Sequence, residues 1–224
     1  MLVSPLASPL VSHVMGQLDW IEHGFGTRLA PLSQEGMASL TQIHSAVCLT
    51  AGRAARLGEG DALIANQPGV AVSVRTADCY PILLADPAAQ AIAAVHAGWR
   101  GTAAAVVQET IARMQREFGT KPEDLWAAIG PGIGACCYEV GEEVARQFGR
   151  SSAGRIDLAA ANRRQLLEAG VKDQRVHSLD LCTYCDAARF HSYRRDKGAA
   201  GRMISFIRVL GVAADSASRR TLVG

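Results

Sequence analysis

The stretch VAVSVRTADCYPILLADPAAQAIAAVHAG (residues 70–98) constrains this chain most. It holds apolar runs at 70–86 and 90–98, and the first is split by Thr76-Ala77-Asp78-Cys79. A run that is apolar at almost every position reads as a strand buried within a sheet. The spacing predicts two strands in 70–86, a turn at Asp86-Pro87, and a third strand over 90–98 with His96 near its end. That third strand closes in an unusual way. HAGWRGT places an imidazole, a guanidinium and two glycines within a few positions.

Downstream, AAAVVQETIARMQREFG has helical periodicity, with Thr102 placed as its N-cap and Gly119 as its stop. LWAAIG (125–130) reads as a short buried strand that runs into a PGIGACC loop. GEEVARQFG (141–149) and LAAANRRQLLEAG (158–170) read as amphipathic helices, and RVHSLDL and RMISFIRVL as strands. Strands and helices alternate irregularly, and neighbouring strands can form hairpins. The expected fold class is therefore α/β, a sandwich with a mixed sheet. No repeat or low-complexity linker divides the 224 residues, so a single domain over 1–224 is expected.

The net charge is +2, which gives no electrostatic case for nucleic acid as partner. No apolar run approaches the roughly 20 residues that span a bilayer, so no membrane partner is expected. MLVSPLASPLVSHVMG lacks a basic start and is interrupted by Pro5 and Pro9, so it does not read as a signal peptide. A cytoplasmic location and a monomer or small homo-oligomer are the expectations. The basic segment SYRRDKGAAGR (192–202) reads as a solvated loop that could also hold an anion.

His44, Cys79 and His96 each lie at the edge of an apolar segment. Strand ends meet at the rim of a sheet, where loops build sites. Two imidazoles and a thiolate form a set suited to Zn²⁺, with a fourth position open. Spacing alone also fits a buried cysteine and two hydrogen-bonded histidines. Cys182-x-x-Cys185 could hold a second metal with Cys136 and Cys137, but free or structural thiols are the favoured reading. GPGIGA lacks the G-x-G-x-x-G spacing and is not read as a dinucleotide loop.

A set of motifs runs in order along nearly the whole chain. They are GFGTR (24–28), QIHS (42–45), GDALIA (60–65), TADCYPILLAD (76–86), AVHAGWRG (94–101), IGPGIGACCYEVG (129–141), ANRRQLLEAGV (161–171) and CTYCDAARFHSYRRDKGAAGR (182–202). By these motifs the chain resembles the multicopper polyphenol oxidoreductase (laccase-domain) family, the zinc-dependent purine nucleoside phosphorylases. It departs from the family at Gly26, where Ser is usual, and at His191, where a second Phe is frequent. The role of His191 is unassigned.

The resemblance implies that His44, Cys79 and His96 ligate the metal, and that the fold is distantly similar to that of glutamine-deamidating toxins. It implies phosphorolysis of adenosine, guanosine or inosine, and 5′-methylthioadenosine, with some adenosine deamination. The implied partners are a purine nucleoside and phosphate. Zn²⁺ is the expected cofactor, with copper an alternative. Phosphate needs further cations, and a guanidinium fork matches its edge, so Arg28 and Arg100 are the candidates. Arg100 could equally form a salt bridge. Asp61 and Asp78 are candidates to orient a ligating imidazole, Asp61 also fitting a simple turn. Tyr138 either stacks on the purine or fills the core. A copper oxidase would need many histidines, typically in H-x-H pairs, whereas this chain has six and no such pair. A binding protein acting on cell-wall precursors is the alternative outside catalysis.

Overall fold

The structure, a computed structural model, describes residues 8–211. Residues 1–7, which open the apolar N-terminal segment, lie outside the described residues. So do residues 212–224, and with them both ends of the expected 1–224 domain. Thirteen strands are described: Ile21–Phe25 (β1), Ser39–Thr41 (β2), Cys48–Thr50 (β3), Arg56–Glu59 (β4), Ala62–Ala65 (β5), Ala71–Thr76 (β6), Tyr80–Asp86 (β7), Ala91–Ala97 (β8), Trp126–Ile129 (β9), Glu139–Val140 (β10), Gly154–Arg155 (β11), Val176–Ser178 (β12) and Met203–Val209 (β13). The α-helices are Trp99–Ala103 (α1), Val106–Phe118 (α2), Glu142–Arg146 (α3), Leu158–Glu168 (α4) and Tyr193–Asp196 (α5).

A six-stranded sheet runs in the order β12-β9-β7-β8-β5-β3. Its β3–β5 and β9–β12 pairs are parallel, and the pairs between them are antiparallel. An antiparallel sheet of order β1-β13-β6 packs on one face. Helices α2 and α4 pack on the other. The fold is the mixed α/β sandwich expected.

Strands β7 and β8 are buried along their whole length, which is why both read as continuous apolar runs. The two-residue period of a strand divides them. Ile82, Leu84, Ala93 and Val95 join Val107, Ile111, Met114 and Leu166 on the helical side. Leu83, Ala85, Ile92 and Ala94 join Val72, Val74, Ile207 and Val209 between the sheets. Each large aliphatic side chain buried this way contributes about 1.5–3 kcal/mol. At the β7–β8 turn, Asp86 Oδ1 accepts from the backbone N–H of Ala88 and Ala89.

This topology carries the candidate residues to one rim. Tyr80 at the start of β7 pairs with Ala97 at the end of β8. Ala62 at the start of β5 pairs with Val95. Strand β3 runs parallel to β5, so the loop entering it starts from the same edge. The C-terminal ends of β9 and β12 also point there, since β9 is antiparallel to β7 and parallel to β12.

One helix boundary differs from the expectation. Thr102 is not a cap but lies inside the short helix α1, capped by Gly98, and α2 begins only after Ala105 in a left-handed conformation (φ 59°). Thr102 is fully buried and its hydroxyl pairs with Asn162 (3.2 Å to Nδ2), so an apolar setting with one partner explains a threonine there. With only five residues, α1 offers no extended helix terminus for an anion.

Candidate metal and substrate site

His44, Cys79 and His96 come together at the rim, their donor atoms within 4.8 Å of one another. The two imidazoles meet edge to face, with centroids 4.9 Å apart. His96 is the last residue but one of β8 and is buried, Cys79 immediately precedes β7 and is half-buried, and His44 is exposed on the loop before β3. Two nitrogens and one sulfur at this separation can converge on one Zn²⁺, leaving a side open towards solvent.

Asp61, fully buried just ahead of β5, organises two of the three. Its Oδ1 accepts from His96 Nδ1 (2.8 Å) and from the His44 backbone N–H (3.0 Å). Its Oδ2 accepts from the N–H of Ile43 (3.3 Å) and Ser45 (2.5 Å) and from Ser45 Oγ (2.8 Å). These bonds hold His44 in the left-handed region, φ 61°, which a non-glycine residue adopts only when its surroundings require it. Asp61 thus bonds the His96 imidazole and the 43–45 turn at once. Nδ1 of His96 is committed to Asp61, so Nε2 is the atom left for a metal.

The charges follow from this geometry. Burial works to raise the Asp61 pKa, but the bonds from His96 and Ser45 prevail and lower it to about 2. Burial also opposes the Cys79 thiolate, yet hydrogen bonds from His44 and His96 bring its pKa down to about 6. For His96 burial favours the neutral ring, and Asp61 and Cys79 reverse that, raising it to about 9.

Asp78 has a different role from the one expected. It does not bond an imidazole. Its Oδ1 accepts from Thr183 Oγ1 (2.7 Å), its Oδ2 from the Arg194 N–H (2.6 Å), and its carbonyl from the Ile133 N–H (2.8 Å). Asp78 is itself left-handed, φ 83°, and these three bonds fix the backbone immediately before Cys79.

Gly98 follows β8 and faces the sulfur. A Cβ there would lie 2.7 Å from Cys79 Sγ and 3.2 Å from His44 Cδ2. The glycine in HAGW is thus set by close approach rather than by φ, which is −80°.

The donor set opens into a cavity of about 540 Å³. Four arginines line it, Arg75, Arg100, Arg194 and Arg202, together with Tyr138, Trp99 and Ile133. Arg194 Nη1 also donates to the Glu139 carbonyl (2.8 Å), and Arg202 Nη1 to those of Ala200 (2.8 Å) and Gly201 (3.0 Å). Arg100 lies over the Trp99 ring at 4.5 Å, and Arg194 over the Tyr138 ring at 5.4 Å. Tyr138 both lines the cavity and packs into the helical-side core. No carboxylate pairs with Arg100 among the described residues, so the salt-bridge reading of that residue does not apply.

Arg28 is not brought into the cavity. Its guanidinium donates to the Ala187 carbonyl (3.1 Å) and its backbone N–H to that of Arg189 (2.8 Å), so it supports the 187–189 segment. His191 also lies outside the cavity lining, its ring against Gly201. The sequence reading passed over Arg75. A single charge inside the apolar VAVSVRT, three residues before Asp78, was the available signal. Arg194 and Arg202 belong to the basic 192–202 segment already singled out.

Known proteins share this arrangement of the chain. The family model described as multi-copper polyphenol oxidoreductase laccase matches residues 25–210. A Deinococcus radiodurans protein named purine nucleoside phosphorylase is 44% identical over 184 residues, covering 77% of this chain and 70% of that protein. The Escherichia coli purine nucleoside phosphorylase YfiH is 38% identical over 181 residues, covering 75% and 72%. A purine nucleoside phosphorylase of Bacteroides thetaiotaomicron is 43% identical, and the match covers 66% of this chain and 60% of that protein. Among solved structures, the hypothetical protein YfiH of Bacillus licheniformis superposes with a TM-score of 0.84 at 25% identity, covering 91% of this chain and 97% of that one. Neisseria meningitidis protein NMB0706 gives 0.76 at 32% identity, covering 86% and 96%. A match over residues 25–210, with relatives of this similarity, places the chain in the multi-copper polyphenol oxidoreductase laccase family, several of whose members are named purine nucleoside phosphorylase.

Proposed function

We propose that this chain is a zinc-dependent purine nucleoside phosphorylase acting on adenosine, guanosine or inosine, and 5′-methylthioadenosine, with adenosine deamination in the same cavity. One observation carries the reading. The His44–Cys79–His96 donor set opens into a cavity lined by four arginines and by aromatic side chains. Its volume falls in the range of roughly 300–1,000 Å³ usual for small-molecule sites. The names of the relatives support the substrate class.

Zn²⁺ held by His44, Cys79 and His96 would supply Lewis-acid polarisation of an oxygen ligand. The donor set of two nitrogens and one sulfur suits zinc, and elemental analysis of the untreated protein separates it from copper. The remaining work falls to the chain. Asp61 holds the Nδ1 proton of His96 and fixes the ring. Arg100, with Arg75, Arg194 and Arg202, binds the phosphate dianion through charge-assisted bonds. Tyr138, Trp99 and Ile133 enclose the purine and exclude water from one side of it.

With phosphate seated, one of its oxygens forms a bond to ribose C1′. The N-glycosidic bond breaks, its electron pair leaves with the purine, and the base takes up a proton. Ribose 1-phosphate and free base result. In deamination, water adds at purine C6 and ammonia departs. The test is to follow nucleoside consumption by zinc-loaded protein against phosphate concentration. Base release that rises with phosphate and saturates is expected, and turnover indifferent to phosphate removes the phosphorylase reading.

A further inference from the structure

A second group of donors lies outside the cavity. Cys136 and Cys137 sit in the turn before β10, and Cys182 and Cys185 lie some 48 positions further on, after β12. All four sulfurs lie within 4.8 Å of one another. Cys185 Sγ is 3.3 Å from Cys137 Sγ and 3.6 Å from Cys136 Sγ.

These distances fit a tetrathiolate. With Zn–S bonds of about 2.3 Å, the edges of a tetrahedron of sulfurs are roughly 3.8 Å. A disulfide needs sulfurs about 2.05 Å apart in one chosen pair, whereas Cys185 is shared between two near-equal neighbours. The surroundings also favour sulfur as an acceptor. The Gly134 N–H points at Cys182 Sγ (3.2 Å), and a Cβ on Gly134 would come 3.2 Å from Cys136 Sγ and 3.3 Å from Cys182 Cβ. The glycine thus keeps the space around the sulfurs clear. Cys136 and Cys185 are exposed, so an ion has a route in.

We propose that Cys136, Cys137, Cys182 and Cys185 form a second zinc site, a structural tetrathiolate separate from the His44–Cys79–His96 set. Each thiol gives up its proton as its sulfur bonds the ion, leaving a complex of net charge −2. The site staples two segments that the backbone joins only lightly, through Gly132, whose N–H donates to the Leu181 carbonyl and whose carbonyl accepts from the Thr183 N–H. Both segments build the cavity. One carries Ile133 and Tyr138, and the other carries Thr183, whose hydroxyl holds Asp78. The ion therefore fixes the cavity wall without touching substrate.

The test uses full-length protein carrying His44→Ala and His96→Ala, which removes donors of the cavity set and leaves the cluster intact. After growth with zinc and exhaustive washing, elemental analysis should find about one zinc per chain. X-ray absorption should show a shell of sulfur at about 2.3 Å with no nitrogen. Adding Cys136→Ser and Cys185→Ser should abolish this zinc and lower the melting temperature. The proposal is overturned if the double-histidine variant retains no zinc. A nitrogen-containing shell, a visible iron–sulfur absorbance, or an intact mass two hydrogens lower from a disulfide would overturn it equally. Failure of nucleoside turnover in the wild type leaves this result untouched, because the readout is metal content and ligand type.

Discussion

Asp61 and His96 are bonded twice: Asp61 Oδ1 accepts from His96 Nδ1 at 2.8 Å, and the Asp61 carbonyl accepts from the His96 N–H at 2.7 Å. The pair is buried, and the same carboxylate holds the loop that carries His44. Asp61→Asn keeps the volume but removes the charge and an acceptor oxygen. Zinc affinity of the cavity site should fall about 10–100-fold, as is usual when a partner of a ligating histidine is lost. Competition with a chromogenic chelator measures this, and an unchanged affinity would show that Asp61 serves the turn alone.

Gly98→Ala isolates a steric effect, since the backbone at φ −80° tolerates alanine. The added Cβ would sit 2.7 Å from Cys79 Sγ, so the sulfur must move. Turnover should drop on the order of 10²-fold, the scale expected for a reacting centre displaced by about 1 Å. Far-ultraviolet circular dichroism should stay native. Turnover near the wild-type rate would mean that Cys79 does not need its present position.

Metal binding should be coupled to protons in a defined window. In the metal-free protein Cys79 is a thiolate above about pH 6, and His96 stays protonated below about pH 9. Zinc requires both groups deprotonated. Between about pH 6 and 9, binding should displace about one proton from His96, and affinity should rise about tenfold per pH unit. Below pH 6 Cys79 adds its own proton and the dependence steepens. Considered separately, the raised pKa makes the His96 contribution to metal-free stability full below about 6.5 and lost as pH rises through about 9. The lowered pKa makes that of Cys79 full above about 9 and lost as pH falls through about 6. Calorimetry in buffers of different ionisation enthalpy counts the released protons, and a count of zero at pH 7.5 contradicts this assignment.

Arg100→Ala should raise the KM for phosphate about tenfold, the scale of one lost charge-assisted bond, with a smaller change in the KM for nucleoside. Arg28→Ala provides the contrast. Its guanidinium is spent on the Ala187 carbonyl rather than the cavity, so phosphate dependence should be nearly unchanged. Steady-state kinetics with phosphate varied would separate the two, and the reverse pattern would return the anion role to Arg28.

Much of this arrangement was legible in the sequence because it rests on burial. Strands β7 and β8 read as apolar runs since both faces of the central sheet are covered. His44, Cys79 and His96 stood out as polar groups at the ends of such runs. What the sequence did not disclose depends on contacts between distant segments. The left-handed conformation of His44 is imposed by Asp61, 17 positions away. Asp78 turned out to anchor Thr183, 105 positions away, rather than an imidazole. Short edge strands such as β2 and β4 carry too little periodicity to be read. Thr102 has the composition of a cap, but the chain breaks three residues later at Ala105, so its hydroxyl turns inward. Trp99 is half-buried and shares the cavity wall with Arg100.

The central claim is phosphorolysis at the His44–Cys79–His96 site, and phosphorus NMR tests it most directly. Zinc-loaded protein is incubated with adenosine and phosphate while the spectrum is followed alongside chromatography of the bases. The account predicts a ribose 1-phosphate resonance that grows in step with adenine, and no such resonance with a correctly folded His96→Ala variant. Adenosine consumed without any sugar phosphate, or the same rate of ribose 1-phosphate formation with His96→Ala, would contradict it.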